Sequence, residues 1–281
     1  MPDRTDVRDR ADDVVYVYDG SFEGFLTCVF ESFYRRELPL RIVADDAPES
    51  LLYRTSYIET DPVKAERVLR SIPRKISAAA EESVRLGFLS CCEDKERLLL
   101  DFLRLGYKVG PNVSFMLQNE TVSRLERAVF HLTHEAHLLS GFIRFSIHHG
   151  VLVSVIGPKN FVLPLLADHF TTRLPEENFL IYDEIHRAAL LYRPHELRLV
   201  PMESFTLPEA DCQEEAYRDL WRRFYDTIAI EGRENPRCRM SLMPKRYWKY
   251  MTEFQKPLRG GLRMPGQKPA GALAKPGEPP V

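Results

Sequence analysis

The chain has 281 residues, is 44% hydrophobic, and carries 39 Lys and Arg against 41 Asp and Glu, a formal net charge of −2. That is enough apolar material for one large core or two modest ones. The near-neutral balance excludes a protein that coats nucleic acid by bulk charge, so any such contact has to come from a local patch. No apolar run approaches the ~20 residues needed to span a bilayer, and the longest, Val151–Gly157 and Phe161–Ala167, have the length of core strands or a short helix.

The five cysteines (Cys28, Cys91, Cys92, Cys212 and Cys238) are odd in number and irregular in spacing. With no stretch that reads as a signal peptide, they point to reduced thiols in a cytoplasmic, soluble protein. There is no CxxC pair and no CxxxCxxC cluster of the radical-enzyme kind. Adjacent Cys91 and Cys92 would point about 100° apart on a helix, so neither metal nor cofactor is expected.

Residues 1–12 are mostly charged and predict a disordered N-terminus. Val14–Tyr18 predicts a strand ended by the turn Asp19-Gly20, after which Ser21 caps a helix with Phe22, Phe25, Leu26, Val29, Phe30 and Phe33 at helical spacing. Leu40–Val43 and Leu51–Ile58 read as short strands. Asp61-Pro62 opens a helical region to about 139, divided by Pro73, Gly87 and Gly110-Pro111 into four helices. From Phe142 the period becomes two, and His149-Gly150 turns the chain into Val151–Ile156, a hairpin.

Phe161–Leu174 predicts a helix, and Phe179–Tyr182, Ala188–Tyr192 and Leu197–Val200 predict strands. Asp211 caps a long helix through Ile230, and a shorter one is expected from Pro244 to Phe254. Short turns between strands favour an antiparallel sheet, so the expected class is α+β. The domain reading is one folded domain over 13–254, with a helical subregion at 61–139 and a Pro/Gly-rich flexible tail at 255–281.

GxxxxGK[ST], GxGxxG, GxSxG and HExxH are all absent, which removes the commonest ATPase, dinucleotide and hydrolase readings. His131 and His134 share a helix face but have no carboxylate at chelating spacing, so they read as surface histidines. Asp19 and Glu23 are explained by turn and helix-start chemistry. Arg144, on the first hairpin strand, with His169, Arg173 and Asp183, and Arg187 following, contain the groups of an acid–base or phosphate-holding site. An ion-pair network fixing helix to sheet explains them equally.

The densest signal is EGRENPRCRMSLMPKRYWK at 231–249. Arg233, Arg237, Arg239, Lys245, Arg246 and Lys249 are the charges that neutralise phosphates, and Tyr247 and Trp248 have faces that stack on bases. A solvated basic face with the aromatics packed inward is the alternative.

Five strings in this order, VYDGSFEGFLTCVFESF (17–33), GFIRF (141–145), LPLLADHFTTRLP (163–175) with LIYD (180–183), and LWRRFYDTIAIEGRENPRCRMSLMPKRYWKYMTEF (220–254), resemble a bacterial family of unknown function labelled only for DNA metabolism. The resemblance implies a radical SAM protein of DNA modification or repair as neighbour and partner. Some relatives are fused to a domain similar to uracil-DNA glycosylases, whereas only the Pro/Gly tail follows residue 254 here. The expected role is therefore an accessory protein that binds DNA while other chains carry the chemistry. A DNA-processing enzyme of nuclease or glycosylase type and an interaction scaffold docking through 61–139 stay open as alternatives.

Overall fold

The computed structural model describes residues 12–44, 53–206, 212–228 and 236–255, and the chain divides into two compact units, Met1–Leu207 and Pro208–Val281. The first opens with strand β1 (Asp12–Tyr18), helix α1 (Phe22–Tyr34) and strands β2 (Pro39–Ala44) and β3 (Arg54–Tyr57). β1 lies between β2 and β3 and pairs in parallel with both. Val14 to Tyr18 are all buried. Their unbroken apolar run suits a central parallel strand, which has no solvent side.

Asp19, at the end of β1, starts α1. Its Oδ1 accepts from Ser21 N (2.9 Å) and Ser21 Oγ (2.7 Å), and its Oδ2 accepts from Thr60 Oγ1 (2.8 Å), beyond β3. Ser21 Oγ in turn caps α1 by accepting from Gly24 N at 2.9 Å. A Cβ on Gly24 would meet Asp19 Oδ1 and would lie 2.7 Å from Thr60 Oγ1, so glycine is needed for this close approach. Residue 60 leads into α2 (Pro62–Lys75), whose N-cap Asp61 accepts from Val63 N and Lys64 N. Thr27 of α1 exchanges hydrogen bonds with the Asp61 backbone, and Lys64 reaches Glu31 of α1 at 2.9 Å.

Three further helices follow, α3 (Ala78–Leu89), α4 (Lys95–Val109) and α5 (Glu120–Phe142), with a 3₁₀ turn at Gly110–Phe115 before α5. Caps at Ser77 and Asn119 open α3 and α5. One core joins them to the first sheet, through Tyr16, Phe25, Ile72, Leu99, Phe102 and Leu125.

The second sheet has strand order β4 (Ser146–His148), β5 (Val151–Ile156), β6 (Phe179–Asp183), β7 (Ala188–Arg193), β8 (Glu196–Pro201). His149 and Gly150 both have positive φ (50° and 79°), as a two-residue hairpin turn requires. β5 and β6 pair in parallel, joined through α6 (Leu163–Arg173), while β4–β5, β6–β7 and β7–β8 are antiparallel. The second unit contains α7 (Cys212–Ile228), α8 (Pro236–Leu242) and 3₁₀ turns at Lys245–Tyr250 and Thr252–Phe254. Among the described residues no helix is long and apolar enough to cross a membrane.

The α+β class agrees with the sequence, but the expected antiparallel sheet does not. The first sheet is parallel and the second is mixed, because helical crossovers join β1 to β2 and β5 to β6. The helix expected over Pro244–Phe254 is two 3₁₀ turns, and the α-helix lies earlier, at Pro236–Leu242. Asp211, the expected cap of α7, lies outside the described residues, as do residues 1–11 and 256–281 of the expected disordered terminus and tail, while Asp12 opens β1.

Glu135, between the histidines of α5, is 3% exposed and accepts from Lys159 N (3.1 Å), Asn160 N (2.8 Å) and Asn160 Nδ2 (2.6 Å). Asn160 Oδ1 accepts from Cys91 N at 2.9 Å, so one carboxylate ties α5 to the links after α3 and β5. Glu135→Ala leaves those donors unmatched and is expected to cost about 2–3 kcal/mol in urea unfolding, with Glu135→Gln losing less.

Acid stability follows from Asp19, Glu31 and Glu37. Burial opposes ionisation at each, but hydrogen bonds outweigh it: from Ser21 and Thr60 to Asp19, from Lys64 and Arg35 to Glu31, and from Arg54 and Tyr16 to Glu37. All three carboxyls are held below their ordinary values, so their stabilisation is complete above the unfolded-state range near 4 and is lost as pH falls through it and below. Urea midpoints are expected to hold from about pH 7 to 5 and to drop towards pH 3.5, less steeply in Glu31→Gln.

Candidate nucleic-acid interface

In the 3₁₀ turn Lys245–Tyr250, residues three apart eclipse one another. This sorts the segment into three rows: Lys245 with Trp248, Arg246 with Lys249, and Tyr247 with Tyr250. The Arg246–Lys249 row is exposed, and Tyr247 is buried at 1% exposure. Lys245 Nζ lies 5.9 Å from the Trp248 ring centroid, Arg246 Cζ 4.6 Å from that of Tyr247, and Lys249 Nζ 4.5 Å from that of Tyr250. Arg246 Nη2 also donates to Tyr247 Oη at 2.5 Å.

Trp248 is half-buried. Its Nε1 donates to Met243 O at 3.0 Å, and its ring stacks on Phe254 at 4.5 Å and 14°. Arg239 of α8 lies 5.5 Å from the Trp248 ring and 5.8 Å from Phe254. Arg239, Lys245, Arg246 and Lys249 are thus exposed cations set on a small aromatic base, and Arg237 is exposed as well. Arg233 lies outside the described residues.

One aromatic of the sequence reading, Tyr247, is corrected. Tyr247 is core and presents no face to a base, and Phe254 stacks on Trp248. The unit exposes other aromatics instead: Tyr217, Trp221 (38%) and Phe224 (52%) on α7, with Trp221 Nε1 donating to Glu253 Oε2 at 3.1 Å. Their i, i+4, i+7 spacing was the available signal, but the same spacing describes an ordinary core face.

Within the second candidate set Asp183 is partnered elsewhere, whereas Phe145 and Phe170, the neighbours of Arg144 and His169, meet edge-on at 5.4 Å. Arg144 precedes β4 rather than lying on it, and its Nη1 donates to Gly141 O (2.9 Å) and Ile143 O (3.2 Å), at the end of α5. His169 packs edge-on to Phe170, which meets Phe179 at the start of β6, and Arg173 stands in the last turn of α6. Asp183 is at the other end of β6, about 13 Å away at the usual strand rise. It is fully buried, accepts from Ile185 N (3.0 Å) and His186 N (3.1 Å), and pairs with His186 Nδ1 at 2.7 Å. The partner of Asp183 is therefore His186, not His169. The pair shapes the turn between β6 and β7, where Arg187 has a positive φ of 50°.

Among the described residues no group of three or more His, Cys, Asp or Glu side chains is placed to hold a metal ion. His131 and His134 both pack against Phe130.

These features define an α+β protein with one parallel and one mixed sheet and a cation-bearing C-terminal unit. The family model for a domain of unknown function, DUF4130, matches residues 93–253, more than half of the chain, and the protein belongs to that family. No curated protein matches it. Among solved structures, the pGpG-specific phosphodiesterase PggH from Vibrio cholerae is similar at 8% identity, over 63% of this chain and 81% of that one. Its TM-score of 0.27 carries no argument about fold or activity.

Asp183→Ala removes the acceptor for two backbone donors and the His186 ring, and is expected to destabilise the first unit by about 2–3 kcal/mol. His186→Ala, which leaves the backbone bonds intact, is expected to cost less, as read by thermal unfolding.

Proposed function

We propose that this protein is a DNA-contacting accessory factor of DNA metabolism, with the cations of residues 237–249 as its phosphate-binding surface. The observation that carries the reading is local charge: residues 236–255 hold five cations, all exposed, against the single acid Glu253, in a chain whose net charge is −2. Such a patch supplies sequence-independent affinity and positions the protein on a nucleic acid. Exposed Trp221 and Phe224 lie on the same unit and supply faces for stacking.

The resemblance of its sequence strings to a DNA-metabolism family supports the same reading, in which the partner is a radical SAM protein of the cytoplasm. On this reading the chain binds and presents DNA, and the partner carries the chemistry. The pairing of Asp183 with His186 rather than His169 takes the acid out of the candidate acid–base set, which favours a non-catalytic role over the nuclease or glycosylase alternative.

Fluorescence anisotropy with labelled single-stranded and duplex DNA across a salt series tests the reading. Lys245→Glu/Arg246→Glu is expected to weaken duplex binding at least tenfold and to reduce its log–log salt slope by about two units. Unchanged affinity in the folded double variant removes the segment as the interface.

A further inference from the structure

The first unit carries a second surface with the same chemistry, outside the basic C-terminal segment. α1 turns Phe30, Phe33 and Tyr34 to one side, and α2 sets Arg67, Ser71 and Lys75 opposite, with Tyr107 of α4 at the floor. Together with Val29 and Val68 they enclose an open cleft of about 580 Å³, within the range of small-ligand sites. A second hollow of about 440 Å³ adjoins it along α2, sharing Arg67, Ser71 and Lys75 and adding Arg70 and Arg74.

The cleft has both components that a nucleotide needs. Tyr34 is 77% exposed and stacks on Phe30 at 6.1 Å and 16°, and Phe33 is 41% exposed and meets Tyr107 edge-on at 5.5 Å. Cations already border these rings, with Arg67 Cζ 5.5 Å from the Phe30 centroid, Arg104 Cζ 5.4 Å from Phe33 and Lys75 Nζ 6.0 Å from Tyr107. The acid lining the two hollows is Glu66, which is paired with Arg70. Arg67, Arg74 and Lys75 make no ion pair among the described residues, so their charge is available to a ligand.

We propose that this groove binds single-stranded nucleic acid, one base lying against Tyr34 and Phe33 and the phosphate backbone following Arg67, Arg70 and Arg74 along α2. Length separates a strand from a mononucleotide. Arg67 to Arg74 covers seven residues of helix, about 10 Å at 1.5 Å per residue, and the two joined hollows extend past one nucleotide. A duplex does not offer an unpaired base to the cleft, so the groove selects single strands.

The groove shares a ligand class with the C-terminal segment but is built from different residues, so the two are separable. The experiment is anisotropy of a 5′-labelled 15-nucleotide oligothymidylate and of a duplex of equal length, using the full chain. Four proteins are compared: wild type, Arg67→Glu/Arg74→Glu, Tyr34→Ala and Lys245→Glu/Arg246→Glu. All the substituted side chains are exposed, and circular dichroism melts establish that each variant folds. The expected result is at least a tenfold loss of single-strand affinity in Arg67→Glu/Arg74→Glu, with a salt slope shallower by about 1.4. Tyr34→Ala is expected to lose about five- to hundredfold, the range for one stacked base, with duplex affinity unchanged in both.

Unchanged single-strand affinity in the two folded groove variants overturns the groove, whatever the Lys245→Glu/Arg246→Glu result. Loss confined to the groove variants upholds it and overturns the C-terminal segment as the interface. A wild-type chain that binds duplex but no single strand overturns the groove and leaves the C-terminal reading standing.

Discussion

One carboxylate, that of Asp19, holds three segments of the first unit together. It receives the start of α1 through Ser21 and the approach to α2 through Thr60, at the carboxyl end of the buried strand β1. Close approach is possible because residue 24 has no side chain in the way. Once the N-terminal ends of α1 and α2 are fixed side by side, Thr27–Asp61 and Glu31–Lys64 continue the contact along the helices. The aromatic face of α1 and the arginine row of α2 then border a common groove. The groove is thus a consequence of how the first parallel sheet ends.

Cations are used in two ways, in ion pairs and over aromatic rings, and the first unit has both. In the first, cations near the sheet are spent on buried or half-buried acids: Arg35 and Lys64 on Glu31, and Arg54 on Glu37. Those pairs fix geometry, since desolvation offsets much of their attraction. Arg239, Lys245, Arg246 and Lys249 instead lie over aromatic rings, an arrangement that keeps them exposed to solvent. A net charge near zero hides this division, because the acids that balance the total are elsewhere in the chain.

Several elements were legible because their signals are local. Asp19-Gly20, Ser21 and Asp61-Pro62 mark a turn and two helix starts by chemistry acting within three or four residues, and His149-Gly150 marks a hairpin by its positive φ values. The parallel pairing of β1 has one local sign, the continuous rather than alternating run Val14–Tyr18 of a strand buried on both sides. Alternation around Arg144 suggests a strand, but the helix before it runs to Phe142, and its guanidinium serves that helix end. The shift from the expected helix at 244–254 to α8 reflects short segments whose form depends on what they pack against.

The sequence by itself determined most helices and strands of the first unit and the α+β class, because period and capping are properties of neighbouring residues. Only the tertiary structure decided which strands pair in parallel, that Asp183 meets His186 rather than His169, that Tyr247 is core, and that Tyr34 and Arg67 face one groove. Each of those depends on contacts between residues distant in sequence or on which face of an element is covered. A one-dimensional pattern does not carry that information, since the same spacing serves a buried face and an exposed one.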